Sequence, residues 1–204
     1  MIVYIQADSK LYKEVSMDRQ SALDLWKKNN DDDYLYRHAL SVEAALRWWA
    51  VKYGEDPEYW GIVGFLHDID YQKHPNEHLV HSPAILGEAG YSAEFIHAVV
   101  SHGYGICSDA EPVHIMEKVL YAVDELTGFI YACAIMRPSK SLDDLEAKSV
   151  LKKFKTPAFA AKIDRSVISR GADMVGVELS VLITNTIEAL KPVALDIGLQ
   201  KIES

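Results

Sequence analysis

Apolar residues recur at three- and four-residue spacing through most of the chain, and the alternation that marks a strand is nearly absent. Only residues 2–5 read as extended. The pattern predicts an all-α fold. A first helix is expected from about residue 18 to 28, with Leu23, Leu25 and Trp26 apolar, and the NNDDD run after it offers an N-cap to the next helix. That second helix carries Leu35, His38, Ala39, Val42, Ala45, Leu46 and Trp49 on one side. Gly54 to Pro57 stops it, and Pro57 suits the first turn of a third helix. The third helix includes the apolar run GIVGFL, which must be buried on nearly every side.

A polar stretch, residues 68–78, follows. Helices are then expected over about 79–88, closed by Gly90, and from a Ser92 cap to His102. A long helix over about 113–136 carries the stripe Met116, Val119, Leu120, Val123, Thr127 and Ile130. Beyond Arg137-Pro138 the chain reads as short helices near 142–154, 157–162, 165–172 and 179–189.

A chain of 204 residues suits one domain, with a core over about 18–136 and a helical extension over about 137–204. With 49% hydrophobic and 25% charged residues, neither disorder nor a fibrous architecture is indicated. MIVYIQADSK is too short an apolar stretch for a signal peptide or a membrane span. Cys107 and Cys133 lie in unrelated contexts without a CxxC pattern, as expected in a reducing compartment. A cytoplasmic protein without a membrane partner is therefore expected. The net charge of -9 argues against binding a nucleic-acid polymer. The charge is uneven, however: over residues 137–170 nine basic residues stand against the four acidic Asp143, Asp144, Glu146 and Asp164. Such a run reads either as a solvated helix surface or as a lobe that attracts an anionic substrate.

The informative anomaly is that His38, His67, Asp68 and Asp124 fall on or beside the apolar faces. Asp124 has Leu120 one turn before it and Thr127 one turn after, so it should point inward, where an unpartnered carboxylate is costly. Something positive must meet it. A lone histidine on an apolar face is more often a hydrogen-bonded core residue, and Asp68 alone would suit a cap or turn. The combination favours a divalent metal, because imidazole and carboxylate together suit Zn, Fe, Mn or Ni. His74, His97 and His114 read as surface or loop residues.

The ordered set His38, His67-Asp68 and Asp124 resembles the H…HD…D signature of the HD superfamily of metal-dependent phosphohydrolases, with the pair embedded in GFLHDID. The contexts RHALSVEAALR, WGIVGFLHDIDY and YAVDELTGFI resemble a subgroup of predicted bacterial HD hydrolases, as does KSVLKKFK. The resemblance implies a single HD-type domain that binds one or two divalent ions (Mn, Mg, Zn, Ni or Fe) and hydrolyses a small phosphoester or nucleotide with a metal-activated water. His78 and His102 resemble the extra histidines of two-metal members, which would make Asp68 a bridge; His81 competes as a second-site ligand or substrate contact. Asp70 and Tyr71 depart from the Gly-Lys that follows the HD pair in the cyclic-dinucleotide branch. Asp68 is a candidate proton acceptor, and Arg37, Lys73 or the basic residues of 148–155 are candidate phosphate contacts. Two alternatives share the ligand set: a di-iron oxygenase of the same fold, and a non-catalytic metal- or nucleotide-binding signalling module.

Overall fold

The computed structural model describes residues 18–201, and the extended stretch expected at residues 2–5 lies outside them. Among the described residues the elements are helical, joined by turns and two isolated bridges. Helix α1 (Arg19–Asn29) starts at Asp18, whose carboxylate accepts from the Ser21 amide, and Asp32 caps α2 (Asp33–Tyr53) through the Leu35 amide. Gly54 ends α2 in the left-handed conformation, as a glycine can without a Cβ clash. α3 (Pro57–Leu66) then runs back along α2 and is buried from Trp60 to Leu66.

The approach of α2 to α3 is close because Gly64 has no side chain: a Cβ there would stand 3.0 Å from the Val42 carbonyl oxygen. α4 (Ser82–Glu88) and α5 (Ala93–Ser101) form a pair, with Ser92 capping α5 through the Phe95 amide. α6 (Ile115–Ile135) packs across α2 and is buried along most of its length. His114 is its N-cap, and Glu117 completes a capping box by accepting from the His114 amide. His114 is thus exposed, as expected, and also sets a helix start.

Beyond α6 the chain wraps back over the core. α7 (Ala147–Phe154), α8 (Arg165–Val175) and α9 (Leu179–Leu190) cover α6 and α2, and a Cβ on Gly171 of α8 would collide with Ala122 of α6. One apolar cluster runs from Trp26 through Phe65, Leu120 and Ile168 to Leu199, so the extension shares its core with the preceding helices.

Three expected boundaries need correction. Residues 157–162 form turns, because the Arg165 guanidinium takes the carbonyls of Phe154, Thr156, Phe159 and Ile163, which an unbroken helix would keep for itself. Residues 142–146 are likewise irregular, with α7 starting at Ala147. The helix expected from residue 79 starts at Ser82, since Leu79 has a positive φ of 68°. Cys107 is exposed and Cys133 buried, and neither is in a disulfide.

Candidate metal centre

Two helix ends supply two of the histidines by the same local device. His67 is the C-cap of α3, and its Nδ1 lies 2.8 Å from the Gly64 carbonyl oxygen. His102 is the C-cap of α5, with Nδ1 2.6 Å from the Val99 carbonyl oxygen. The last turn of a helix leaves carbonyls without partners, and here the imidazole three residues later takes one. Since a carbonyl only accepts, Nδ1 must carry the proton, so in the neutral ring Nε2 presents its lone pair inward.

His38, midway along α2, and Asp124, midway along α6, meet these rings where the two helices cross. His38 Nε2 is 2.9 Å from Asp124 Oδ1 and 3.2 Å from His67 Nε2. His67 Nε2 is 3.4 Å from Asp124 Oδ1. On the other side, His78 Nε2 is 3.2 Å from His102 Nε2. Asp68 stands between the two groups with one oxygen toward each. Oδ2 is 3.3 Å from His67 Nε2 and 3.7 Å from His38 Nε2; Oδ1 is 3.2 Å from His78 Nε2 and 3.5 Å from His102 Nε2.

The donor chemistry fits a pair of divalent cations. Inward lone pairs 3.2 Å apart repel unless a positive charge lies between them, and two carboxylates supply matching negative charge. Donor atoms of His38, His67 and Asp68 lie within 4.8 Å of one another, as do those of Asp68, His78 and His102. Protons do the same work in the metal-free protein. Burial disfavours a charged His67, but Asp68 and Asp124 outweigh it and hold its pKa well above the usual imidazole value. Burial likewise works against Asp124 and Asp68. The hydrogen bonds of His38 and His67 nevertheless hold Asp124 far below the usual carboxylate range, and His67, His102 and His78 hold Asp68 low. His78 is raised to about 9, its burial outweighed by Asp68 and Asp70. The positive partner that the sequence demanded for Asp124 is thus present in the protein itself.

Of the other candidates, Arg37 lines a crevice beside His38 together with Tyr34, Thr127 and Tyr131. It packs against Gly198, where a Cβ would come 2.8 Å from Nη1. Lys73 is not brought to the cluster: its ammonium donates to the Lys28 carbonyl and to Asn29 Oδ1 at the end of α1. The side chain of His81 likewise turns away, toward Glu77.

Asp70 is the residue that sequence reasoning missed. It is fully buried, accepts from the amides of His81 and Ser82 through Oδ2, and holds His78 Nδ1 at 2.9 Å through Oδ1. It therefore orients the His78 ring and the start of α4 at once. The available signal was a second acid two residues after the HD pair, followed by a histidine eight residues later. Glu125, adjacent to Asp124 and half-buried, is pushed up to about 7 by burial and by Asp124.

The HD domain family model matches residues 35–128, which include all six clustered residues. Over that span the chain is similar to the HD domain family. The match runs from α2 into α6, the elements between which the six residues cluster. The match stops within α6, so α7 to α9 lie outside the HD domain as matched. No curated protein and no solved structure matches the chain. Among the described residues, no helix is long and apolar enough to cross a membrane.

Proposed function

We propose that the protein is a metal-dependent phosphohydrolase acting on a small phosphoester or nucleotide, with His38, His67, Asp68 and Asp124 holding one divalent ion and His78 and His102 joining Asp68 at a second. The observation that carries this reading is the placement of Asp68, which turns one oxygen to each pair of inward imidazole nitrogens. Divalent ions in such a pair of sites supply Lewis acidity and a water whose pKa is lowered toward neutrality, the chemistry that phosphoester hydrolysis needs.

The protein's own groups have separable tasks. The carbonyls of Gly64 and Val99 fix the tautomers of His67 and His102, and Asp70 fixes that of His78. Arg37, which makes no ion pair within the described residues, offers a guanidinium beside His38 to a phosphoryl oxygen. Tyr34 and Tyr131 flank it and limit the size of the group that can follow.

A second reading rests on the same geometry. Four histidines and two aspartates, one of them between the two groups, also suit a di-iron oxygenase. Elemental analysis of the purified protein, with a phosphatase screen over nucleotides and sugar phosphates in added Mn, Mg, Zn, Ni or Fe, separates the readings. Phosphate release that depends on a redox-inert ion supports hydrolysis. Oxygen consumption by the ferrous protein, with no phosphate release on any substrate, supports the oxygenase. Absence of turnover in both assays supports a binding module.

A further inference from the structure

The segment between the HD pair and α4 carries another group of metal-ligating side chains. His74, Glu77 and His81 each bring one donor atom within 4.8 Å of the others. Their spacing of three and four residues would align them on one side of a helix, and consecutive turns do the same here. The Glu77 amide donates to the His74 carbonyl and the Val80 amide to the Glu77 carbonyl. His81 Nε2 stands 3.2 Å from Glu77 Oε2. The imidazoles of His74 and His81 lie face to face, with centroids 3.7 Å apart and planes 23° from parallel.

We propose that His74, Glu77 and His81 form a separate site for one divalent ion of the zinc class, independent of the centre built around Asp68. Two imidazoles with one carboxylate select zinc, cobalt, nickel or copper over magnesium and calcium, and the exposed position leaves water to complete the coordination. An exposed His–Glu pair contributes little by itself and does not account for a second imidazole laid on the first. Because a ring nitrogen's lone pair lies in the ring plane, nearly parallel rings meet one ion only after one ring turns out of the stack. Both rings are only partly buried, which leaves space for the turn. None of the three side chains hydrogen-bonds to the six residues clustered at Asp68; the backbone amides of His74 and His81 reach that region, both through Asp70. An ion held here would clamp the segment that carries His78.

The test is equilibrium dialysis of the full-length protein against zinc, read by elemental analysis, with circular dichroism to check helix content. The variant His74→Ala/His81→Ala is expected to bind one zinc fewer than the wild type. Glu77→Gln, a change at an exposed side chain that leaves the fold intact, is expected to weaken one zinc by at least about tenfold. Asp68→Asn is expected to keep the ion that the double variant loses. Equal zinc in the wild type and the double variant overturns the proposal, as does an Asp68→Asn protein that is helical but binds no zinc. The second outcome would place all the binding in one coupled cluster.

Discussion

The donors on the two sides of Asp68 are held in different ways. His38, His67 and Asp124 stand on α2, the end of α3 and α6, elements whose contacts are buried apolar side chains and, at Gly64, near-touching backbones. On the other side, His102 ends α5, but His78 sits in the irregular segment before α4 and is aimed by one hydrogen bond to Asp70. A helix crossing fixes a donor through many contacts, none indispensable, whereas a loop donor depends on the few bonds that orient it. The helix-borne side should therefore be preformed and tight, and the loop-borne side adjustable and weaker.

The largest effect is expected where the two sides meet. Asp68→Asn removes the charge that both sides share, so both ions should weaken and metal-dependent hydrolysis should fall by more than about 100-fold, beyond the roughly 10- to 100-fold typical of a lost outer-shell partner. Loss of only one of the two ions, by elemental analysis, would show that the sides do not share Asp68.

Next come changes confined to one side. Asp124→Asn should lose the helix-borne ion and most hydrolysis while the protein stays helical, since the amide oxygen can still accept from His38 Nε2 at the present 2.9 Å. Excess metal should restore part of the activity. Asp70→Asn should leave the helix-borne ion in place and weaken the other by about 10- to 100-fold, because His78 loses its orienting charge. If Asp70→Asn reduces both ions equally in a metal titration, the contrast between the sides is wrong.

The same contrast was visible in the sequence to different degrees. His38, Ala39, Val42 and Leu46 recur at helical spacing, so a histidine on that face announces itself, and so does Asp124 between Leu120 and Thr127. Tertiary packing then leaves those side chains little choice. Nothing periodic marks Asp70, which lies in an irregular segment where chain direction is decided by individual hydrogen bonds. The resemblance to two-metal HD proteins put His78 and His102 together, but not the buried carboxylate behind His78. The expected helix over residues 157–162 is replaced by turns for a related reason: Arg165 gathers carbonyls across residues 154–163, a contact that local propensity does not encode.

Acidity should sharpen the comparison in the metal-stripped protein. His78 has a folded pKa of about 9 against about 6.5 when unfolded, so the stability it contributes is complete below about pH 6.5 and is lost as pH rises through 9. Asp70, held low chiefly by His78 against the cost of burial, contributes stability above about pH 4 that is lost on further acidification. Thermal melts in EDTA should accordingly show Tm falling between pH 6.5 and 9. With zinc present the trend should narrow or reverse, because deprotonated imidazoles bind metal more tightly. A Tm in EDTA that rises over this interval would show that the clustered protons do not stabilise the metal-free fold.

The smallest effect is expected from the basic stretch that stood out in the sequence. Arg137 is paired with Asp144, and Arg165 is committed to main-chain carbonyls, so part of the local charge is already used inside the lobe. Lys153 lies over the Phe159 ring, which packs on Phe129, five residues and about 7.5 Å along α6 from Asp124 at about 1.5 Å per residue. Arg37, in contrast, lines the crevice beside His38. Reversing Lys152, Lys153 and Lys155 to Glu should therefore change the apparent KM of a phosphoester substrate by less than about threefold at physiological salt, and somewhat more at low salt. Arg37→Ala should raise KM by more than that at either ionic strength, since a direct guanidinium contact with phosphate is screened far less than charge acting at a distance. If the triple reversal raises KM more than Arg37→Ala does, anion capture belongs to the lobe and the crevice beside His38 is not where the phosphate sits.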